Sequence, residues 1–320
     1  LSETGFDVVM TAPVLAAPAV AVLEAAGCRI HYMPPYPSAD AVTALVGKVQ
    51  AHAVLTRQGP VTAAAMVASR RLAIVARHGV GVDDVDLAAA AAHGIMVTRA
   101  PGSNSVAVAE HTLACLLALA KSLKPLDASI AGGAWRGANS KGRDIAGMRL
   151  GLLGFGAIGQ AVARLAAPFG MIVSAHSPRT AVTGGVRAVS LAELFETSDV
   201  LSAHCPYTPQ THHLVDAAAL AAMPAGGYVI NTARGGIVDE VALERALDDG
   251  HIAGAALDVF ETEPPPVSHV LRGHPKVIVT PHVSGVTDGS LVNMGVMAAE
   301  CIAACLTGGV VPAGRVVADR

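Results

Sequence analysis

Residues 148–170 read MRLGLLGFGAIGQAVARLAAPFG, an apolar run of strand length, a cluster of glycines, and an alanine-rich run of helical length. Gly154, Gly156 and Gly159 stand in a GxGxxG pattern at the junction. The first glycine permits a tight turn and the second lets backbone approach a pyrophosphate. The third allows close packing of helix on strand, with the phosphates at the helix N-terminus beside Ala157 and Ile158. In a chain with 33 glycines the spacing alone carries little. The strand before it and the helix after it make this stretch a dinucleotide-binding βα turn.

The next strand-like run, Met171 to Ser174, continues into His176-Ser177-Pro178-Arg179. If the ligand is NAD, a carboxylate that binds the ribose 2′-hydroxyl is expected about 20 positions beyond the glycines. Ser177 stands there instead, which removes a charge that would repel a 2′-phosphate, and Arg179 is placed to pair with one. The cofactor is therefore NAD or NADP, with the reading leaning toward NADP. The alternative is a solvated Arg179 and NAD bound with weaker ribose recognition.

Outward from this turn, strand-length apolar runs alternate with alanine-rich helical stretches along the whole chain, the pattern of parallel sheets built from βαβ units. Expected strands include Phe6–Met10, Ala53–Thr56, Leu72–Ala76, Leu150–Leu153, Val200–Ala203, Tyr228–Asn231 and Val277–Val279. Expected helices include Leu87–Ala92, a long apolar helix opening at Ser105, Ile158–Pro168, Glu240–Asp249 and a last helix over Ser290–Leu306. Turn chemistry at Arg99–Gly102 and His282–Gly289 marks two crossovers, so residues 1–99 and 288–320 are expected to form one domain and residues 100–287 the dinucleotide-binding domain. The expected class is α/β, with two doubly wound parallel sheets.

The bulk properties narrow the partners. A 320-residue chain with 52% hydrophobic residues can bury a large core, while 15% charged residues and a net charge of -3 provide no field for nucleic acid or an anionic membrane. The apolar stretch Ser105–Ala120 carries Glu110 and His111 and is shorter than the roughly 18 uninterrupted apolar residues of a membrane span. The opening LSETGFDVVM lacks the pattern of a secretory signal, so a cytoplasmic protein is expected. Cys28, Cys115, Cys205, Cys301 and Cys305 form no CxxC pair or disulfide framework, and no metal site is expected.

Three further segments place reactive side chains just past strand-like runs. VINTARGGIVDE holds Arg234, LDVFETEPPP holds Asp258, Glu261 and Glu263, and VIVTPHVSGVT holds His282. A hydride transfer needs a proton donor or acceptor, a cation for an anionic substrate, and a dry site beside the nicotinamide. Asp258 lies between the apolar Leu257 and Val259, so its carboxylate needs partners.

The ordered blocks ARHGVGVDDVDL, HGIMVTRAPGSNSVAVAEHTLACLLAL, the glycine turn, CPYTPQTHHLV, INTARGGIVDE, ALDVFETEPPP and TPHVSG cover nearly the whole chain. Together they resemble the D-isomer-specific 2-hydroxyacid dehydrogenase family, which includes phosphoglycerate dehydrogenases and hydroxypyruvate or glyoxylate reductases. The resemblance implies a Rossmann cofactor domain with a flavodoxin-like substrate domain, joined into a homodimer through the cofactor domain. It implies His282 as general acid/base, Glu263 as its partner, and Arg234 as the clamp on substrate carboxylate and carbonyl.

By the same resemblance the backbone of Val80 and Gly81 binds the substrate carboxylate and Gly285 lies beside the substrate. Asp258 and the backbone of Ala233 hold the nicotinamide amide, while Val108, Cys205 and Pro206 line the cofactor. Arg57 matches a position for anionic substrates in phosphoglycerate dehydrogenases, but Gln58 replaces the serine usual beside it, and the regulatory C-terminal domain of many such enzymes is not expected in a chain closing on GRVVADR. Trp135 matches a family position before the glycine turn. The expected activity is reduction of a small 2-oxo acid such as glyoxylate or hydroxypyruvate. The alternatives are 3-phosphoglycerate dehydrogenase and a non-enzymatic, nicotinamide-sensing corepressor-like protein.

Overall fold

The computed structural model describes residues 5–135 and 140–318. In chain order the first part runs β1 (Phe6–Met10), α1 (Ala17–Ala25), β2 (Cys28–Tyr32), α2 (Ala39–Val49), β3 (Ala53–Thr56), α3 (Ala63–Val67), β4 (Ile74–Arg77), α4 (Leu87–Ala92) and β5 (Met96–Thr98). The middle part runs α5 (Ser105–Ala120), α6 (Leu123–Ala131), β6 (Arg149–Leu153), α7 (Ala157–Ala166), β7 (Ile172–His176), β8 (Arg187–Ala188), α8 (Leu191–Thr197) and β9 (Val200–Ala203). It continues through α9 (Ala217–Ala222), β10 (Gly227–Asn231), α10 (Glu240–Asp248), β11 (Ile252–Leu257) and β12 (Val277–Val279). The chain then adds α11 (Asp288–Thr307) and β13 (Val316–Ala318).

These elements form two compact units, one of Leu1–Asn104 with Val286–Arg320 and one of Ser105–Gly285. Each is α/β and doubly wound. In the first unit the sheet order is β13-β5-β4-β3-β1-β2, parallel except where β13 runs antiparallel along β5. In the second the order is β12-β11-β10-β9-β6-β7-β8, parallel throughout.

Both sheets are covered on two faces, which explains why their central strands read as continuous apolar runs. Alternate residues feed opposite cores, as the period of two requires. Within β1, Val8 and Met10 enter one cluster and Val9 the other; within β10, Tyr228 and Ile230 enter one and Val229 the other. α11 is long and apolar enough to cross a membrane. Its Ala298, Ala299, Cys301 and Ile302 are instead buried in the first unit's core with Val8, Leu55 and Ile74.

Element ends differ from the sequence expectation where local hydrogen bonding decides them. α7 starts at Ala157 because Gly156 serves as its N-cap, and it stops before the 3₁₀ turn Ala167–Phe169 that holds Pro168. α11 starts at Asp288 because Thr287 and Ser290 form a reciprocal capping box. β4 begins at Ile74 rather than Leu72, whose amide closes a turn on Ser69.

In each sheet the order reverses beside the first strand of the unit, at the carboxyl ends of β1 and β3 and of β6 and β9. In open α/β sheets ligands bind outside such switch points. The glycine turn follows β6 directly, and Arg57 follows β3.

Candidate active site

Gly154 has φ +104, and a Cβ there would lie 2.7 Å from the Cys205 amide nitrogen and the His204 carbonyl carbon. The turn after β6 is thus pressed against the 204–205 backbone, which brings Cys205 beside the glycines. A Cβ on Gly159 would meet the Gly154 carbonyl oxygen at 2.4 Å, which is the close helix-to-strand approach expected of the third glycine. Gly156 differs from both. A Cβ there would meet nothing within 4 Å.

Open space over Gly156, at the N-terminus of a 10-residue helix without a side-chain cap, is the cradle that a pyrophosphate requires. The residues present therefore fit a dinucleotide. Beyond β7, the Ser177 hydroxyl accepts from the Thr180 amide at 3.3 Å, and Arg179 is exposed with no hydrogen bond or ion pair among the described residues. Burial pushes the Cys205 thiol up to about 11, so it is a neutral wall. Val108 is buried in α5, where its carbonyl accepts from Thr112.

At the carboxyl end of β10, Asn231 builds the turn that presents Arg234. Its side chain donates to the Arg234 carbonyl at 2.8 Å and accepts from the Ala233 amide at 3.1 Å. Arg234 in turn donates to the Ala233 carbonyl at 2.7 Å. The following Gly235 is packed against the 260–261 backbone so closely that a Cβ would fall 1.9 Å from the Phe260 carbonyl carbon.

Asp258 follows β11, is 1% exposed, and organises the turn carrying His282. Its Oδ1 accepts from the Thr280 hydroxyl at 2.6 Å and the Val283 amide at 2.8 Å, and its Oδ2 accepts from the Ser284 amide at 2.8 Å. His282, at φ +54, also donates its amide to the Asp258 carbonyl at 2.8 Å. Thr280 gives its only proton to Asp258, so His111 Nε2, 3.2 Å from that hydroxyl, is the donor in their contact. Sequence reasoning assigns Asp258 to the nicotinamide and does not identify Thr280, Ser284 or His111 as supports. Their donors meet only in three dimensions, and two of the three groups gripping the Asp258 carboxylate are backbone amides that no motif announces.

His282 Nδ1 lies 2.7 Å from Glu263 Oε2, and the Phe260 amide donates to Glu263 Oε1 at 3.1 Å. Burial acts to raise the Glu263 carboxyl, but the hydrogen bonds from His282 and Phe260 and the charges of His282 and Arg234 outweigh it and hold it below its ordinary value. The carboxylate fixes the imidazole proton on Nδ1 and leaves Nε2 as the face for a reacting group. The side chains of His282 and Glu263 remain 48% and 37% exposed, so this pair meets solvent while Asp258 and Ser284 beneath it are buried. Gly285 closes the same turn and ends the second unit.

In the first unit, Val80 and Gly81 follow β4 in a bend, half-buried, and no group among the described residues accepts from their amides. Arg57 and Gln58 both donate their amides to Thr11 Oγ1, at 3.0 and 3.3 Å, which ties the end of β3 to the end of β1. The Gln58 side chain accepts from the Tyr36 amide at 3.2 Å. His78, just before this bend, is buried beside Arg57 and Arg77; burial foremost, with the charge of Arg57, pulls its imidazole down to about 4 and keeps it neutral. Among the described residues no cluster of side chains could hold a metal ion.

Residues 113–284 match the model of the D-isomer specific 2-hydroxyacid dehydrogenase NAD-binding domain. The chain belongs to that family. D-3-phosphoglycerate dehydrogenase of Mycobacterium tuberculosis is 41% identical over 268 residues, covering 82% of this chain and 51% of that protein. The chain thus spans about half the length of the curated relatives it matches. A solved protein of Thermus thermophilus superimposes with a TM-score of 0.89 at 36% identity, over 98% of this chain and 100% of its own. The NAD-dependent formate dehydrogenase of Staphylococcus aureus, solved in complex with NAD, gives 0.84 at 27% identity over 98% and 100%.

The different surroundings of the glycines yield a paired prediction. In Gly156→Ala the fold should be retained within about 1 kcal/mol while dinucleotide affinity falls by about tenfold or more, because the methyl group enters only the phosphate's space. Gly154→Ala should instead lose more than about 2 kcal/mol of stability through its backbone conformation and the 204–205 contact. Chemical denaturation and titration calorimetry on both variants separate the two effects.

Proposed function

We propose that the chain is a nicotinamide-dependent D-2-hydroxyacid dehydrogenase acting as a reductase of a small 2-oxo acid, glyoxylate or hydroxypyruvate being the expected type. The single observation that carries this reading is the 2.7 Å pair of Glu263 and His282. Arg234, whose charge acts on Glu263, supplies the cation for an anionic substrate. When bound, the reduced nicotinamide supplies the hydride. Arg234 holds the substrate carboxylate and polarises the 2-oxo group, and His282 gives the proton from Nε2 to the oxygen that becomes the alcohol. Glu263 compensates the imidazolium before that proton leaves. The oxo acid gains one hydride and one proton.

In this proposal residues 100–287 serve the cofactor, and residues 1–99 with 288–320 serve the substrate. The amides of Val80 and Gly81 take a carboxylate oxygen, Gly285 lies against the substrate, and Asp258 with the Ala233 backbone faces the nicotinamide amide. Val108, Ala157, Ile158, Cys205 and Pro206 line the dinucleotide. Ser177 and Arg179 favour the 2′-phosphate of NADP. A second reading, oxidation of D-3-phosphoglycerate, is favoured by the 41% identity to the Mycobacterium tuberculosis enzyme and places Arg57 at the substrate phosphate. The five free cysteines fit a reducing, cytoplasmic setting. A homodimer joined through α6 accounts for the nine residues of that helix, none of them buried, and for the exposed Leu123, Ile130 and Trp135.

Three outcomes test the proposal. His282→Ala should abolish turnover of every 2-oxo acid in a panel run with NADH and NADPH while leaving dinucleotide affinity intact, and a wild-type protein inert toward the whole panel, including D-3-phosphoglycerate in the oxidative direction, would remove the enzymatic reading. Arg179→Ala should weaken NADPH binding more than NADH binding, whereas equal losses would end the preference for NADP. Ile130→Glu should shift the protein toward monomer in light scattering.

A further inference from the structure

A second carboxylate–imidazole pair lies behind Glu263, and the reaction proposed above does not use it. Glu240, the first residue of α10, is 7% exposed. Its Oε2 lies 2.8 Å from His269 Nε2, and its Oε1 accepts the Glu261 amide at 3.0 Å. His269 Nδ1 accepts the Leu271 amide at 3.3 Å, so the ring proton sits on Nε2 and points at Glu240. A buried carboxylate is tolerated only when its oxygens are engaged, and here each oxygen has a donor.

The same pair grips the backbone that carries Glu263. The His269 ring packs edge-on against Phe260, with centroids 5.3 Å apart and planes at 81°. The Phe260 amide is the group that donates to Glu263 Oε1. On its other side the 260–261 backbone abuts Gly235, next to Arg234. The Glu261 side chain is turned away to His213, at 2.6 Å, so only the Glu261 amide connects this residue to Glu240. The charged and titratable groups facing the 260–263 turn are thus Arg234, His213, Glu240, His269 and His282, together with the turn's own Glu261 and Glu263.

We propose that Glu240 and His269 are positioning residues for the acid/base pair, holding the 260–263 turn where Glu263 meets His282. The inference rests on the dehydrogenase reading. Without the Glu240 carboxylate, the part-buried Glu261 amide loses its acceptor, and the turn loses the bond that ties it to α10 and is free to move. Such a movement takes the Phe260 amide and Glu263 with it. An error of about 1 Å in a reacting pair is worth up to about a hundredfold in rate.

The test compares pH–rate profiles of the full chain as wild type, Glu240→Ala, Glu240→Gln, His269→Ala and the reference Glu263→Gln, in the reductive direction with glyoxylate and hydroxypyruvate. Removing the carboxylate from the acid/base pair weakens the protonated state that donates, so Glu263→Gln should move the alkaline limb of kcat/KM to lower pH. Glu240→Ala should lower kcat by about tenfold or more, move that limb the same way, and leave dinucleotide affinity within about twofold. Glu240→Gln keeps an oxygen for the Glu261 amide but sets its NH2 against the His269 Nε2 proton, so it should recover part of the rate that Glu240→Ala loses, and His269→Ala should show a weaker form of the same shift if Glu240→Ala does not fold. Profiles of Glu240→Ala, or of His269→Ala if the former is unfolded, that superimpose on wild type while Glu263→Gln shifts would overturn the positioning role alone. An unmoved profile in Glu263→Gln as well would overturn the acid/base reading beneath it.

Discussion

The buried carboxylate of Asp258 is the constraint on which the site depends. It collects the Thr280 hydroxyl and the amides of Val283 and Ser284, and its own carbonyl takes the amide of His282. A turn folded around an anion in this way holds a non-glycine residue at positive φ without help from sequence preference, since His282 at φ +54 is anchored before and after itself. Replacing Asp258 by an apolar residue would strand three donors together, the buried Ser284 amide among them, which is more costly than losing any one bond. The position of the imidazole is therefore a property of β11 and its carboxyl end rather than of the loop alone.

From there the arrangement follows the rule for parallel sheets. The candidate site's groups come from the carboxyl ends of strands, where open α/β sheets bind ligands: the glycine turn after β6, Asn231 and Arg234 after β10, Asp258 after β11, the His282 turn after β12. The glycines differ in purpose within one motif. Gly154 and Gly159 are required by protein packing, since a Cβ at either would collide with backbone, whereas Gly156 leaves space that packing does not use. A motif that looks uniform thus divides into positions that packing requires and one that packing leaves open.

This division also marks how far the sequence could be read. The α/β class and the placement of the glycine turn were legible because apolar runs buried on two faces and a GxGxxG junction are local signals. β13 was not legible: its three residues gain strand character only by pairing antiparallel with β5, a partner more than 200 positions earlier. Arg234, Glu263 and His282 stood out because each sits in an ordered block. Glu240 and His269 did not, because their meaning lies in a contact across 29 positions and in an amide at Glu261 that has no side-chain signature. The need of Asp258 for partners followed from its apolar neighbours, while their identity required the fold.

The polar groups are graded in exposure along the path to His282. Asp258 and Glu240 are nearly inaccessible, Glu263 is partly open, and His282 is the most exposed. Burying an ion is tolerated only where donors already replace its water, and both buried carboxylates have them. The exposed imidazole has one fixed partner on Nδ1 and an unassigned Nε2. A gradient in this direction lets the inner charges be rigid, because they never exchange protons in the proposed reaction, while the outer group stays accessible to the acid that must give or take one. With the rigid carboxylates behind and the Glu263–His282 pair in front, orientation comes from groups that carry no proton in the proposed reaction, and the proton sits on a group that they hold in place.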